Sequence, residues 1–471
     1  MQHIEQIYIN GEFVTPHGTE RFDLYNPATA RVTGQVRLAD AVDAERAIAA
    51  AHAAFPAWSS TGKQARIAAL QRMQAAVAAR HDDLLEAVIE EYGAPASRSA
   101  WMASYPAEVI GQAIAVLEAF EFTVPAGAAR VEMTPLGVAG LITPWNSDAG
   151  FICGKLAAAL AAGCTAVIKP SEMSAQQTQI VTEALHAADL PPGVFNIVTG
   201  RGDTVGETIS RHPLVAKISF TGSTQTGKAI LRNAAENFTR VTLELGGKSP
   251  TIILDDADIK QAVLLALQAG LMNSGQACVA GTRILVPQSR KAEFEQALAQ
   301  AIAAVKSGDP RDNATEVGPM VSEKQWQRVQ GYIRKGLEEG ARLLAGGEGR
   351  PEGARDGWFV RPTLFTDVHN QMAISRDEIF GPVLCVIAYR DEAEAITIAN
   401  DTDYGLSALV LGSDAERARR VAEQIQSGRV LVNTLTHEPK APFGGFKHSG
   451  VGREMGAWGI SAFMEPKSIL G

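Results

Sequence analysis

The feature that most constrains the fold is an alternation of short apolar runs with helical segments after residue 125. The runs with strand-like composition are VAGLIT (138–143), TAVIKP (165–170), GVFNIVTG (193–200), AKISFTG (216–222) and RVTLEL (240–245). Segments of helical periodicity lie between them, at 150–162, 174–188 and 224–237. Apolar strands that alternate with helices are typical of βαβ units on a parallel sheet. The sequence therefore predicts an α/β fold.

A second series of apolar runs predicts a second α/β unit. Its strands are TIILDD (251–256), TRILVP (282–287), PVLCVIAY (382–389), SALVLGS (407–413) and RVLVN (429–433). The first third of the chain is instead alanine-rich with helical periodicity, which predicts helices at 41–54 and 63–92. The second of these helices should begin near Thr61 as N-cap and stop at Gly93. A chain of 471 residues is long enough for about three domains.

Composition excludes several classes of function. The net charge is −9 and no long basic run occurs, so neither nucleic acid nor an anionic membrane is an expected partner. The first twenty residues lack the apolar region of a signal peptide, and the longest apolar run, 156–168, is too short to cross a bilayer. Four cysteines without a CxxC pair and nine scattered histidines indicate neither a disulfide framework nor a metal site. A cytoplasmic location is therefore expected.

Two glycine-rich stretches resemble nucleotide-binding motifs without matching them. GSTQTGKA (222–229) has P-loop spacing, but Ala229 stands where the magnesium-binding Ser or Thr should be, which argues against an ATPase. The same stretch still predicts a strand–turn–helix junction whose helix N-terminus suits a pyrophosphate. GRGDTVG (200–206) misses the GxGxxG spacing by one residue, and a plain turn is the simpler interpretation.

Three residues carry side chains suited to covalent chemistry. Cys278, in NSGQACVAGTR, lies between glycines, where it is either a small core residue or a nucleophile. Glu244, in LELGGKSP, follows a predicted strand and is either a surface acid or a general base. Asn146, in ITPWNSD, is either a turn residue or an amide that stabilises an oxyanion. Residue types alone leave both interpretations open at each position.

Seven motifs taken together give the chain a resemblance to a known family. ITPWN, KPSE, FTGST, LELGGKSP, GQACVAGTR, DEIFGPV and PFGGFKHSGVGRE occur in the order found in the NAD(P)-dependent aldehyde dehydrogenase superfamily. The resemblance covers nearly the whole chain. It implies a Rossmann-like parallel-sheet cofactor domain (1–118 and 138–245), a second α/β catalytic domain (246–448) and a small β oligomerisation arm (119–137 and 455–471). It also implies a homodimer or homotetramer.

The resemblance assigns a catalytic role to five residues. They are Cys278 as nucleophile, Glu244 as general base, Asn146 as oxyanion donor, and Lys155 with Glu454 as a proton relay for water. The implied reaction is oxidation of an aldehyde to a carboxylic acid through a cysteine thiohemiacetal and thioester, with no metal. Two alternatives remain open: a CoA-acylating semialdehyde dehydrogenase, and a non-catalytic structural relative.

The resemblance also implies the cofactor site. Its residues are Lys169 and Glu172 for the adenosine ribose, Gly222 and Ser223 for the pyrophosphate, Trp145 in the cofactor cleft, and Glu378 and Phe380 at the nicotinamide ribose. NAD is the expected cofactor, because a carboxylate at Glu172 accepts hydrogen bonds from a ribose 2′-hydroxyl but repels a 2′-phosphate. Lys169 moderates this repulsion, so that NADP stays possible.

The substrate tunnel is where the chain departs from the family pattern. Many members carry an aromatic residue and a proline after PWN, whereas Ser147 and Asp148 stand here, and Gly154 replaces a large aromatic residue of several relatives. The other implied tunnel residues are Phe151, Met272 and Phe443. These replacements predict a roomy site that accepts bulky aromatic or branched aldehydes. The opposing interpretation is that loops near Trp101 or His437 refill the space.

Overall fold

A computed structural model describes residues 2–354 and 356–471 of the chain. Its strands are β1 (Gln2–Ile4), β2 (Ile7–Ile9), β3 (Glu12–Val14), β4 (Arg21–Asn26), β5 (Arg31–Arg37), β6 (Thr123–Ala126), β7 (Ala129–Pro135), β8 (Val138–Ile142), β9 (Thr165–Lys169), β10 (Phe195–Ile197), β11 (Val215–Thr221), β12 (Arg240–Glu244), β13 (Pro250–Ile253), β14 (Arg283–Pro287), β15 (Arg342–Ala345), β16 (Thr363–Thr366), β17 (Val383–Tyr389), β18 (Ser407–Leu411), β19 (Arg429–Val432), β20 (Gly450–Val451) and β21 (Met464–Leu470).

Helices separate most of these strands, as the alternating pattern predicts. They are α1 (Ala41–Ser59), α2 (Lys63–Ala78), α3 (His81–Ala87), α4 (Ala96–Ala119), α5 (Asp148–Ala162), α6 (Ala175–Ala187), α7 (Glu207–Arg211), α8 (Thr224–Ala235), α9 (Ile259–Leu271), α10 (Lys291–Ala304), α11 (Glu323–Glu338), α12 (Ala373–Arg376), α13 (Glu392–Asn400), α14 (Ala415–Ala422) and α15 (Gly456–Ser461). In the part of the chain that is described, none of them has the length and apolar character needed to span a membrane.

The first large sheet has the strand order β20-β12-β11-β8-β9-β10-β2-β3. Its five central strands, β12 to β10, run parallel and coincide with the five strands predicted after residue 125. Their side chains are buried almost throughout, because helices cover both faces. The antiparallel edge strands β2, β3 and β20 are short and were not predicted.

The second large sheet has the order β15-β16-β17-β14-β13-β18-β19 and is parallel except at β15. It contains all five strands predicted for the second unit. Strands β15 and β16 were missed, since each has only four residues and no clear alternation. Two parallel-sheet units confirm the predicted α/β class.

Two three-stranded sheets complete the fold. One is β1-β5-β4, so that strands and not helices open the chain. The other is β21-β7-β6 and corresponds to the predicted arm, with the C-terminal strand β21 paired along all seven of its residues to β7. Both segments assigned to the arm, 119–137 and 455–471, therefore contribute strands to this small sheet. The remainder of segment 455–471 includes α15, which packs on α4 and α5.

Two other expectations about local structure need correction. The helix predicted over 63–92 is broken into α2, α3 and a π-helical turn at Val88–Tyr92, and it begins at Gly62, while the Thr61 hydroxyl donates to the carbonyl of Trp58. Its end at Gly93 is as predicted, with the glycine at φ +76°. The stretch 202–206 is also not a plain turn, since it forms a π-helical turn that leads into α7.

Candidate active site

Glu244 is the last residue of β12 and lies in the interior. Its side chain is 3% exposed, so the interpretation as a surface acid is wrong. Neither carboxylate oxygen has a hydrogen-bond partner among the described residues. Burial, reinforced by the nearby carboxylate of Glu454, raises the pKa of Glu244 well above its ordinary value. A buried, unpartnered carboxyl group of this kind is a strong proton acceptor once it is ionised.

Cys278 lies in the loop that follows α9. Three consecutive residues of this loop, Asn273, Ser274 and Gly275, have φ angles of +52°, +59° and +75°. The turn is held from outside, because Arg98 Nε donates to Asn273 Oδ1 at 2.5 Å and Gly318 N–H donates to Ser274 Oγ at 2.8 Å. The turn leaves Cys278 partly buried but in contact with the cavity, whereas the other three cysteines are buried. Cys278 is therefore not packed as a core residue.

The electrostatic surroundings of Cys278 favour the protonated thiol. Burial, followed by the carboxylates of Glu378 and Glu244, raises the pKa of the thiol to about 12. The guanidinium group of Arg429 acts in the opposite direction and lowers this pKa. Proton transfer from the thiol must therefore accompany any nucleophilic attack at neutral pH.

Asn146 lies beside the cysteine loop, in the segment that follows β8. Its side chain is 8% exposed, and Nδ2 donates to the backbone carbonyl of Gln276 at 3.1 Å. The side chain of Gln276 is in turn fixed by Val321 N–H and the carbonyl of Pro319. The amide is thus held in one orientation next to the thiol loop, as an oxyanion donor requires.

One cavity of about 560 Å³ joins these three residues. Lys155 and Glu454, the candidate relay pair, also line it, as do all five predicted tunnel residues: Ser147, Phe151, Gly154, Met272 and Phe443. Lys155 Nζ contacts Glu454 Oε1. The catalytic and tunnel residues predicted from the sequence therefore meet in a single space.

The predicted cofactor residues lie outside this cavity. Ser223 caps α8 by accepting from Thr226 N–H at 3.2 Å, and a Cβ at Gly222 would lie 2.4 Å from the ring of Phe220. This junction is the predicted strand–turn–helix, and its helix N-terminus is suited to a pyrophosphate. Trp145 packs edge-on against Phe380, with ring centroids 5.5 Å apart.

Glu378 and Gly246 form the part of this region that leads toward the cysteine. Glu378 Oε1 accepts from Gly247 N–H at 3.0 Å, and a Cβ at Gly246 would lie 2.3 Å from Glu378 Oε2. Any larger residue at position 246 would therefore collide with this carboxylate. Burial raises the pKa of Glu378 to about 7. A carboxylate, an anion-binding helix start and an aromatic wall together fit the hydroxyl, phosphate and ring groups of a dinucleotide.

Comparisons with known proteins place the chain in a family. The family model described as the aldehyde dehydrogenase family matches residues 13–469. The chain belongs to the aldehyde dehydrogenase family.

Solved structures of family members resemble the chain over almost its whole length. A variant of aldehyde dehydrogenase C from Pseudomonas syringae, in complex with NAD⁺ and octanal, is 43% identical, with 99% of this chain and 96% of that chain covered and a TM-score of 0.97. The Mycobacterium tuberculosis aldehyde dehydrogenase in complex with NAD⁺ is 38% identical, with 100% and 98% covered and a TM-score of 0.96. The Bartonella henselae enzyme is 38% identical, with 100% and 99% covered and a TM-score of 0.97.

In this member of the aldehyde dehydrogenase family, helix α4 forms part of the cavity wall. Trp101 and Tyr105, stacked with ring centroids 4.6 Å apart, line the cavity from α4, so helix residues and not a loop form this wall. A Cβ at Gly154 would lie 3.1 Å from Val109 Cγ2, so α4 also fills part of the space that the glycine leaves. Asp148 does not line the cavity and is fully buried.

Two residues near the proposed sites were missed by sequence reasoning. Arg201 Nη1 lies 3.3 Å from Glu172 Oε1. Lys169 Nζ lies 3.4 Å from the other carboxylate oxygen, Glu172 Oε2. Ser219 Oγ accepts from Lys155 Nζ at 2.9 Å and donates to Glu454 Oε1 at 2.8 Å. Arg201 belongs to the stretch set aside as a turn, and Ser219 lies inside a predicted strand. Neither position carried a sequence signal, because the contacts join segments far apart in the chain.

Proposed function

We propose that this protein oxidises an aldehyde to a carboxylic acid with NAD, using Cys278 as nucleophile. The observation that carries the proposal is the single cavity in which Cys278, Glu244 and Asn146 converge. Membership of the aldehyde dehydrogenase family and the NAD⁺ complexes of similar structures support it.

In the first half of the reaction, the Cys278 sulfur forms a bond to the carbonyl carbon of the aldehyde. The thiol proton passes to a water molecule as the bond forms, and the oxygen becomes an oxyanion that Asn146 Nδ2 and the backbone N–H of Cys278 stabilise. NAD, when bound, supplies the acceptor for the hydride that the tetrahedral carbon gives up. We propose Lys169, Glu172, Gly222, Ser223, Trp145, Glu378 and Phe380 as the residues that hold it.

In the second half, Glu244 accepts a proton from water while the water oxygen attacks the thioester carbon. The bond from carbon to Cys278 sulfur breaks, which releases the carboxylic acid and a thiolate, and the thiolate takes a proton from solvent to restore the starting thiol. The proton then leaves Glu244 toward the pair formed by Lys155 and Glu454. Neither carboxylate oxygen of Glu244 has a hydrogen-bond partner among the described residues, so both are available to bind water.

The substrate proposed is a bulky aromatic or branched aldehyde. Phe151, Phe443, Trp101 and Tyr105 give the cavity apolar and aromatic walls, and its volume is of the size that binds drug-like molecules. The octanal complex of a similar structure indicates that a long aldehyde fits the site of that relative. Val109 takes up part of the room beside Gly154.

The two alternative functions predict different outcomes in one assay. A CoA-acylating relative would sustain NAD reduction beyond one equivalent per active site only with coenzyme A present, and a structural relative would not reduce it at all. The buried Glu244 argues against the first, since transfer to CoA needs no base for water. We expect NADH formation without CoA over a panel of short, long-chain, aromatic and amino aldehydes, and loss of that activity with retained NAD binding in Cys278→Ala. Full turnover by Cys278→Ala would refute the assignment of the nucleophile.

We also propose that the protein is a homodimer or homotetramer in the cytoplasm. The small sheet of β6, β7 and β21 exposes most of its side chains, including Leu470 at 75%. Small sheets with open edges invite pairing with a second chain. Light scattering should report a mass of two or four times 50.0 kDa at micromolar concentration. A monomer under these conditions would refute the oligomer.

A further inference from the structure

Asp148 is a buried carboxyl group at the first position of α5, where many family members carry proline. It is 0% exposed, and both of its oxygens accept hydrogen bonds. Thr143 Oγ1 donates to Oδ1 and Thr178 Oγ1 donates to Oδ2, each at 2.8 Å. Burial raises the pKa of Asp148 to about 7, while the hydroxyl groups, Lys169 and the N–H of Ser171 lower it.

The two threonines adjoin two loops whose relative position matters for the proposed reaction. Thr143 begins the segment that carries Trp145 and Asn146, directly after β8. Thr178 lies in the first turn of α6, directly after the segment that carries Lys169 and Glu172. The side chain of Asp148 is thus bonded to the oxyanion-donor loop on one side and, on the other, to the start of α6, just after the cofactor loop.

Two weaker contacts join the same loops. Thr143 N–H donates to the carbonyl of Lys169 at 3.1 Å, and Ser174 Oγ donates to the carbonyl of Trp145 at 3.4 Å. The first only continues the pairing of two parallel strands, and the second is long. Asp148 is the group with two short, buried bonds, which makes it the strongest link among these contacts.

A carboxylate at the first turn of a helix is favourable even when it faces water. Burying it costs free energy that solvent exposure would avoid, so helix capping alone does not explain its position. Two bonded hydroxyl groups and the neighbouring charge of Lys169 offset part of that cost. Glu91, a second buried carboxyl group nearby, increases the cost of ionising Asp148, because the two carboxylates repel each other.

We propose that Asp148 is a positioning residue that fixes the Asn146 loop against the Lys169–Glu172 loop. The inference rests on the proposed function, in which Asn146 holds the oxyanion while the other loop holds the adenosine ribose of NAD. A displacement of either loop by about 1 Å would cost on the order of 100-fold in rate. Asp148 therefore acts on binding and chemistry together, through Asn146 and through the cofactor loop.

The test compares Asp148→Ala, Asp148→Asn and Thr178→Val in the full-length protein. Three quantities are measured: the Kd for NAD, kcat for aldehyde oxidation, and hydrolysis of p-nitrophenyl acetate without NAD, which uses Cys278 and Asn146 but no hydride transfer. For Asp148→Ala we expect a weaker Kd and a slower ester hydrolysis, each by about 10-fold or more. Thr178→Val removes only the bond to α6 and should weaken NAD binding with ester hydrolysis nearly unchanged. Asp148→Asn retains one acceptor and should be intermediate.

Glu91→Gln is the matched control. Glu91, in the π-helical turn at Val88–Tyr92, is also a buried carboxyl group, and it accepts from the backbone N–H groups of Gln176 and Gln177 at the start of α6, but no hydrogen bond joins it to the Asn146 loop. Glu91→Gln should lower Tm and leave ester hydrolysis unchanged. The inference is overturned if Asp148→Ala behaves like Glu91→Gln, or if Thr178→Val does not change NAD binding. If wild-type protein fails to reduce NAD with any aldehyde, the proposed function falls, while ester hydrolysis and NAD binding still decide the role of Asp148.

Discussion

Asn146 donates its side-chain amide to the backbone carbonyl of Gln276, two residues before Cys278, at 3.1 Å. This hydrogen bond links the Asn146 amide directly to the loop that carries the thiol, although 130 residues separate Asn146 from Gln276 in the chain. Any movement of the cysteine loop moves the bond that orients the amide.

We expect Asn146→Ala to lower kcat for aldehyde oxidation by about 10²- to 10³-fold, because removal of one oxyanion donor costs this much in acyl-transfer enzymes. KM should change little, since the amide acts mainly on the tetrahedral state. Steady-state kinetics with one fixed aldehyde provides the measurement. A loss below threefold would mean that the backbone N–H of Cys278 holds the oxyanion alone.

Glu244→Gln should separate the two halves of the reaction. The amide has the shape of the carboxyl group but cannot take a proton from water, so thioester hydrolysis should become slower than acylation. Stopped-flow traces should show a burst of up to one equivalent of NADH per active site, followed by slow turnover. If steady-state turnover equals that of the wild type, another residue must be the base.

The strands were predictable from the sequence, but the contacts around them were only partly so. Runs such as TAVIK and VLCVIAY are so apolar and β-branched that they fit only a buried strand, and both form one. The break between α2 and α3 was not predictable, because Ala79 and Arg80, the residues at the break, are both good helix formers. The catalytic residues were found by family resemblance, and their roles stay predictions. Arg201 and Ser219 could not be found, since their partners lie on distant segments.

Arg201 modifies the prediction of cofactor preference. We still expect a higher kcat/KM with NAD than with NADP, because Glu172 faces the ribose site proposed here. Arg201 pairs with both Glu172 and Glu20, so it partly neutralises Glu172 and offers a cation to a 2′-phosphate. Arg201→Ala should therefore lower kcat/KM with NADP by about tenfold, the value of one charge-assisted hydrogen bond, with a smaller effect on NAD. A wild-type preference for NADP would refute the role of Glu172.

Gly154→Trp tests the shape of the tunnel. An indole group at this position meets Val109 on one side, so it must turn into the cavity and occupy the space of a large substrate. We expect the wild type to prefer benzaldehyde-sized or larger aldehydes over acetaldehyde, and the variant to lose the large ones selectively. Gly154→Ala is the matched control and should keep the ranking. An unchanged ranking in Gly154→Trp, or acetaldehyde as the best wild-type substrate, would contradict a roomy tunnel.

Glu91 makes the stability of the fold depend on pH. Burial raises the pKa of its carboxyl group from 4.5 to about 8, so the folded protein holds a proton that the unfolded chain releases above pH 4.5. Its contribution to the free energy of unfolding is full below pH 4.5 and is lost as pH rises through 8. Tm of the wild type should fall by several degrees between pH 5 and pH 8, and Glu91→Gln should flatten this slope. Parallel slopes in the two proteins would place the titration elsewhere.

The left-handed turn at Asn273–Gly275 has a consequence for the evolution of the reactive loop. Side chains with a branched β-carbon are nearly excluded from such backbone angles, and even asparagine and serine adopt them at some cost. If these three positions are randomised, the variants that remain active should therefore carry mainly glycine, asparagine, aspartate or serine there. Cavity-lining positions such as Ser147 and Met272 do not have positive φ angles, so their backbone does not restrict the side chain in this way. New substrate preferences should consequently arise by substitutions in the cavity walls, while the sequence of the turn before Cys278 stays almost constant.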